Sequence, residues 1–190
     1  MLCSVVIVFS SHLSIQPSFL FGVRAAVNNG GIHFTSGNTL LYPAGSGVGL
    51  VNVQNNKQEI VSLASKGSQI SALALSPNRN LLAFTEYGER PLVVVYDLEL
   101  RRKLKLLRCA EFRSDQVVSL AFSHDSKYLL VQGGPPEYQL VYFFWEKGKV
   151  ITSITRCTTL LIIHLNLIIS SGLSVSPQEA LLAQLASIQR

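Results

Sequence analysis

Along residues 70–154 the apolar residues come in short runs rich in Leu, Val, Ile, Phe and Ala, cut by small clusters of Ser, Pro, Asn, Asp and Gly. Ile70, Ala72 and Ala74 alternate with interleaved neighbours, and Val117, Ser119 and Ala121 repeat the arrangement, which is the period of a strand. After each comes a turn, Ser76-Pro77-Asn78 or Ser123-His124-Asp125, and then a second apolar run, so each pair reads as a β-hairpin. Residues 92–97, Leu-Val-Val-Val-Tyr-Asp, hold a β-branched run and favour a third strand. Further strands are predicted at 103–107, 128–132, 140–145 and 150–154, with breaks at Gly133-Gly134-Pro135-Pro136 and at Glu146-Lys147-Gly148-Lys149.

The hairpins belong to a longer repeat. Ser76 and Ser123 occupy the same place in two copies, Ser176-Pro177 marks a third, and residues 32–42 carry an eroded earlier one. Four short strands in each repeat of about 40–50 residues, with no segment of helical period between them, is the pattern of propeller blades. The predicted fold is therefore all-β, built of WD40-type β-propeller blades. Closed propellers need about four to eight blades, so the chain is predicted to hold an incomplete propeller fragment.

The pattern resembles WD-repeat proteins, and among them the cilia- and flagella-associated members. The resemblance is carried by Phe21-Gly22-Val23-Arg24, by Leu75-Ser76-Pro77-Asn78-Arg79, by residues 90–97, and by residues 122–130 with Pro135-Pro136-Glu137, Leu140-Val141-Tyr142 and Trp145-Glu146-Lys147. The chain departs from the repeat in having no Gly-His dipeptide, and the Trp-Asp that ends a blade's third strand is read as replaced by Tyr96-Asp97 and Trp145-Glu146. These features divide the chain into an irregular or strand-like lead-in at 1–20, blades at 21–156, an atypical apolar insertion at 157–172, and a partial repeat with a short terminal helix at 173–190. The resemblance implies a non-catalytic scaffold for protein–protein interaction in the axoneme of motile cilia, concerned with inner dynein arm organisation. It implies protein partners, cytoplasmic and axonemal localisation, and an N-terminal fragment or isoform of a longer protein whose propellers precede coiled coils.

Composition narrows the chemistry. With 48% hydrophobic and 14% charged residues, the 190-residue chain must bury much of itself. No apolar run reaches the ~18 residues of a membrane-spanning helix. The residues before the first apolar stretch include no Lys or Arg, against a signal peptide. Three cysteines, Cys3, Cys109 and Cys157, and four scattered histidines form no metal-ligand spacing and no disulfide framework. Gly45-Ser46-Gly47-Val48-Gly49 has neither the third glycine of a dinucleotide fingerprint nor a GK[ST], and reads as a turn between strands. No catalytic residue, metal, cofactor or small-molecule substrate is expected. Asp97, Glu99, Glu111 and Asp115 are read as surface ion-pair partners, and Trp145 with Phe143 and Phe144 as packing between sheets.

The net charge of +5 is concentrated in Arg101, Arg102, Lys103, Lys105 and Arg108, the candidate binding patch. Such a cluster suits an anionic surface such as an acidic tail, and nucleic-acid binding is the alternative function it raises. The favoured reading is an edge strand whose cations discourage pairing with other sheets, because no aromatic residue lies inside the cluster to stack a base. Nucleic acid is not an expected partner.

An open set of blades leaves sheet faces bare, and residues 160–169 are apolar, β-prone and uncharged. The isolated chain is expected to associate with itself, and downstream repeats to restore a cooperative fold. Sedimentation velocity checks this: a monodisperse monomer with a sharp thermal transition contradicts the blade count.

Overall fold

The computed structural model describes residues 5–7, 15–17, 31–35, 37–44, 47–63, 69–88, 91–108 and 112–155. The predicted insertion at 157–172, the terminal helix at 173–190 and most of the lead-in lie outside the described residues. Within the lead-in, β1 (Val5–Ile7) and β2 (Ile15–Pro17) pair antiparallel.

The remaining strands form three four-stranded antiparallel sheets, each laid down in chain order. The first holds β3 (His33–Phe34), β4 (Thr39–Ala44), β5 (Gly47–Asn52) and β6 (Gln58–Ser62). The second holds β7 (Ile70–Leu75), β8 (Leu81–Glu86), β9 (Leu92–Asp97) and β10 (Arg102–Leu107). In the third are β11 (Val117–Phe122), β12 (Tyr128–Gly133), β13 (Leu140–Phe144) and β14 (Lys149–Ile154). The described residues thus contain three blades of the predicted kind. The first repeat, weakest in sequence, is a full four-stranded sheet: its β3 is only two residues long, which is why it leaves little apolar pattern.

The hairpins between the first two strands of the second and third blades are closed by the same device. In the second blade the Ser76 hydroxyl donates to Asn78 Oδ1 and accepts from the Leu81 N–H at 2.9 Å, while the Asn80 N–H donates to Asn78 Oδ1 at 3.1 Å. The third blade repeats it with Ser123, Asp125, Lys127 and Tyr128: the Tyr128 N–H donates to Ser123 Oγ at 3.0 Å and the Lys127 N–H to Asp125 Oδ1 at 3.2 Å. Arg79 and Ser126 take the left-handed backbone, at φ 59° each. The first blade substitutes Thr35, whose N–H and hydroxyl both donate to the Thr39 carbonyl, with Asn38 left-handed at φ 59°. A short hydroxyl or amide side chain at fixed offsets satisfies turn donors that have no strand partner.

Alternate residues of the second sheet serve different neighbours. Ile70, Leu73, Leu82, Phe84, Val94 and Tyr96 join Leu41, Val48, Leu50 and Val61 of the first sheet in one core. From the other face, Ala72, Ala74, Ala83, Val93 and Val95 meet Leu120, Phe122, Leu129, Val141, Phe143 and Trp145. β7 and β11 are the closest strands of their sheets to one another, so first strands lie innermost and β10 lies at the outer edge. Trp145 is 7% exposed in this second core and its indole N–H donates to the Ser126 carbonyl at 2.7 Å, as expected of a ring packed between sheets.

Three expectations need correction. Gly47 and Gly49 are not turn residues but lie inside β5, where Gly49 faces Tyr42 across the ladder and a Cβ would stand 2.6 Å from that ring. Residue 145 is also outside the third strand. Phe143 and Phe144 pair with Leu129 and Tyr128 as Tyr96 and Asp97 pair with Leu82 and Leu81, so Phe143-Phe144 occupies the Trp-Asp place. Trp145 begins the following turn, where Gly148 is left-handed at φ 66°. Finally, Asp97 is a turn cap, since its Oδ1 accepts from the N–H groups of Glu99 and Leu100 at 2.9 and 2.8 Å.

On the far face of the third sheet, Leu130, Leu140 and Tyr142 cluster with Ala121, Tyr128, Ile151 and Ile154. The Tyr142 hydroxyl is buried with no hydrogen-bond partner. Burial pushes its pKa well above the ordinary 10.0, aided by the neighbouring Tyr128 and Asp125. The folded chain therefore holds the phenol neutral where the unfolded chain ionises it. Below pH 10 the phenol is neutral in both states and its burial carries no ionisation penalty, and stability falls as pH rises above that value. Tyr142→Phe is expected to leave stability at pH 7 unchanged or raised, since it removes an unpaired buried hydroxyl, and to lessen the loss of stability above pH 10. Urea denaturation at pH 7 and at alkaline pH checks both arms.

Candidate interaction surface

β10 forms the outer edge of the second sheet because Arg102, Lys103 and Lys105 cannot be buried between blades, while Leu107 can and is 2% exposed. Its pairing with β9 runs Arg102 to Asp97, Lys103 to Tyr96, Lys105 to Val95, Leu106 to Val94 and Leu107 to Val93, with a bulge at Leu104. Tyr96 and Val94 point toward the first sheet, whereas Val95 and Val93 point toward the third. The five candidate cations are therefore not brought together at one point.

Arg101 closes the turn that Asp97 caps, with a left-handed backbone at φ 54°. Its Nη1 lies 3.1 Å from Glu59 Oε2 on β6 of the first sheet, both side chains being about half exposed. Close by, burial raises the Tyr96 pKa; the Arg101 charge opposes that rise, and Glu59 and Asp97 add to it. Lys105 takes the opposite direction. Its Cε would come within 3.2 Å of a Cβ on Gly148, so its stem lies over the turn between β13 and β14. Arg102, Lys103 and Arg108 are exposed.

Two rims flank the blades. On one, a cavity of about 440 Å³ lies between the first and second sheets, lined by Thr35, Asn52, Asn80, Leu98, Glu99 and Arg101. At the other, the connection before β11 is sewn to both neighbouring loops: the Gly88 N–H donates to the Asp115 carbonyl at 3.1 Å and the Gly134 N–H to the Gln116 carbonyl at 3.0 Å. Tyr87 and Tyr138 stand exposed there, beside an ion pair of Arg113 with Glu137 at 3.3 Å. Gly133 admits the Phe112 ring, whose Cζ lies 2.7 Å from where a Cβ would stand. Glu59, Tyr87 and Tyr138 carried no sequence signal, because only the meeting of blades gives them a place. Among the described residues no three His, Cys, Asp or Glu side chains gather, and no helix is long and apolar enough to cross a membrane.

No protein-family model matches the chain. Cilia- and flagella-associated protein 57 of Mus musculus is 38% identical over 142 residues, 73% of this chain. With three ordered four-stranded blades this decides the resemblance. The chain is a WD-type propeller protein similar to cilia- and flagella-associated protein 57. Cilia- and flagella-associated protein 57 C of Tetrahymena thermophila is 31% identical over 150 residues, and cilia- and flagella-associated protein 52 of Chlamydomonas reinhardtii is 28% identical over 147. The match spans 11% of the length of the mouse and Tetrahymena relatives and 23% of the Chlamydomonas one, so these WD-type blades correspond to a small part of larger proteins.

The strain and the ion pair at Arg101 are separable. Arg101→Ala loses the bond to Glu59 and keeps a Cβ in the left-handed region, whereas Arg101→Gly loses the same bond and relieves the backbone. Arg101→Gly is expected to be more stable than Arg101→Ala by about 1 kcal/mol, in urea denaturation. Equal stabilities would mean that the turn relaxes.

Proposed function

We propose that the chain is a non-catalytic WD-type scaffold of the ciliary or flagellar axoneme, binding other proteins through the rims and outer edges of its blades and contributing to inner dynein arm organisation. The observation that carries this reading is the conjunction of three stacked blades with 38% identity to a cilia- and flagella-associated protein over 73% of the chain. Blades of this kind give a rigid body whose exposed loops and edges are free to hold partners without any catalytic group. Dispersal of the basic residues over two faces of one sheet favours protein contacts over a continuous track for phosphates.

The reading is tested in a ciliated cell with the tagged chain expressed at native level. It is expected to remain with axonemes after detergent removes the membrane, and its loss to reduce inner dynein arm components in those axonemes. Full release into the detergent-soluble fraction overturns the axonemal assignment. Retention with an unchanged dynein complement overturns the finer one.

A further inference from the structure

Lys103, Leu106 and Arg108 make a stripe at the outer edge of the second blade. Lys103 and Leu106 pair opposite Tyr96 and Val94, so both project on the face turned toward the first sheet. Arg108 follows Leu107, which is buried toward the third sheet, and is itself exposed. Leu106 is 51% exposed, an apolar side chain held between two cations. Among the described residues neither Lys103 nor Arg108 makes an ion pair, and Glu59 of the first sheet is engaged with Arg101.

The backbone beside the stripe is open as well. Within the described sheets β10 pairs only with β9, leaving its outer row of N–H and C=O groups without a ladder partner. The bulge at Leu104 breaks that row, so the regular stretch available to another strand is the one from Lys105 onward.

We propose that this edge docks an extended, acidic polypeptide segment of a partner protein, pairing with β10 from Lys105 onward and placing an apolar side chain on Leu106 between carboxylates that meet Lys103 and Arg108. Edge pairing supplies backbone hydrogen bonds and alternate side chains supply selectivity. The lysines and arginines that repel another basic edge attract an acidic one, which is how one surface rejects wrong partners and accepts the right one. A nucleic acid fits less well: Arg101 is engaged by Glu59, Lys105 points to the opposite face, the centre of the stripe is aliphatic, and it holds no ring to stack a base. The proposal rests on the scaffold reading only in making the partner a protein.

The probe is a fluorescein-labelled synthetic peptide of alternating Glu and Val, about ten residues long, titrated with the full chain and read by fluorescence anisotropy. Saturable binding is expected, weakening as salt is added. Lys103→Glu with Arg108→Glu is expected to abolish it. Leu106→Ser, at unchanged charge and on an exposed position, is expected to weaken it about tenfold, and Arg102→Glu, on the opposite face, to weaken it less than either stripe cation. A peptide N-methylated at alternate residues reports strand pairing independently of any protein variant, and is expected to lose most of its affinity. The proposal is overturned if the N-methylated peptide binds as well as the plain one, if Leu106→Ser has no effect, or if a single-stranded oligonucleotide of equal charge binds as tightly. Any of these leaves axonemal retention, measured separately, untouched.

Discussion

Two sheets can stack only if the volume missing from one is supplied by the other, and the interface between the second and third blades meets that condition unevenly. The second sheet offers Ala72, Ala74 and Ala83 with Val93 and Val95, while the third fills the space with Phe122, Phe143, Trp145 and Leu129, joined by Phe112 from the connection. Interiors are packed as tightly as organic crystals, so small residues on one side and large ones on the other form a single unit. Each fully buried Leu or Phe is worth about 1.5–3 kcal/mol. The other features follow from this contact: β7 beside β11 at the inner side, β10 pushed to the outside, and turns gathered at two rims.

The turns make stacking possible because they leave few backbone groups unpaired where the chain reverses. The Ser76 and Ser123 devices share donors, acceptors and a left-handed residue three positions later. A recurring sequence motif is here a recurring hydrogen-bond pattern. The turns between third and fourth strands are solved two ways: Asn52 accepts from Gln54 and Asn55 as Asp97 does from Glu99 and Leu100, whereas the third blade relies on left-handed Gly148 with its N–H donated to the Trp145 carbonyl. That is why Phe144 can stand where the other blades keep an amide or carboxylate. It is free to pack on Tyr128 and beneath the Lys147 ammonium.

Function in such an architecture is set by what remains after the cores are filled. The basic residues of β10 lie at an edge because they are excluded from both interfaces, and their division between the faces follows from the ladder register. Arg101 ties the second blade to Glu59 of the first, and the stem of Lys105 covers a turn of the third. One cluster in sequence therefore serves as a brace to each neighbour and as an exposed stripe, three roles that one-dimensional charge counting merges.

The sequence by itself determined the all-β class, the repeat and nearly every strand, because period-2 runs bounded by Ser-Pro-Asn or Ser-His-Asp turns are local signals that need no distant partner. It also placed the basic residues on one strand. It misread Gly47 and Gly49 as a turn and Trp145-Glu146 as the end of a strand, since ladder register depends on what lies opposite and neither error breaks local preference. Only the tertiary structure decided that the eroded first repeat completes a sheet, that Arg101 meets Glu59, and that Lys103 and Leu106 share a face, for the physical reason that these depend on which strand lies alongside and which blade stacks behind.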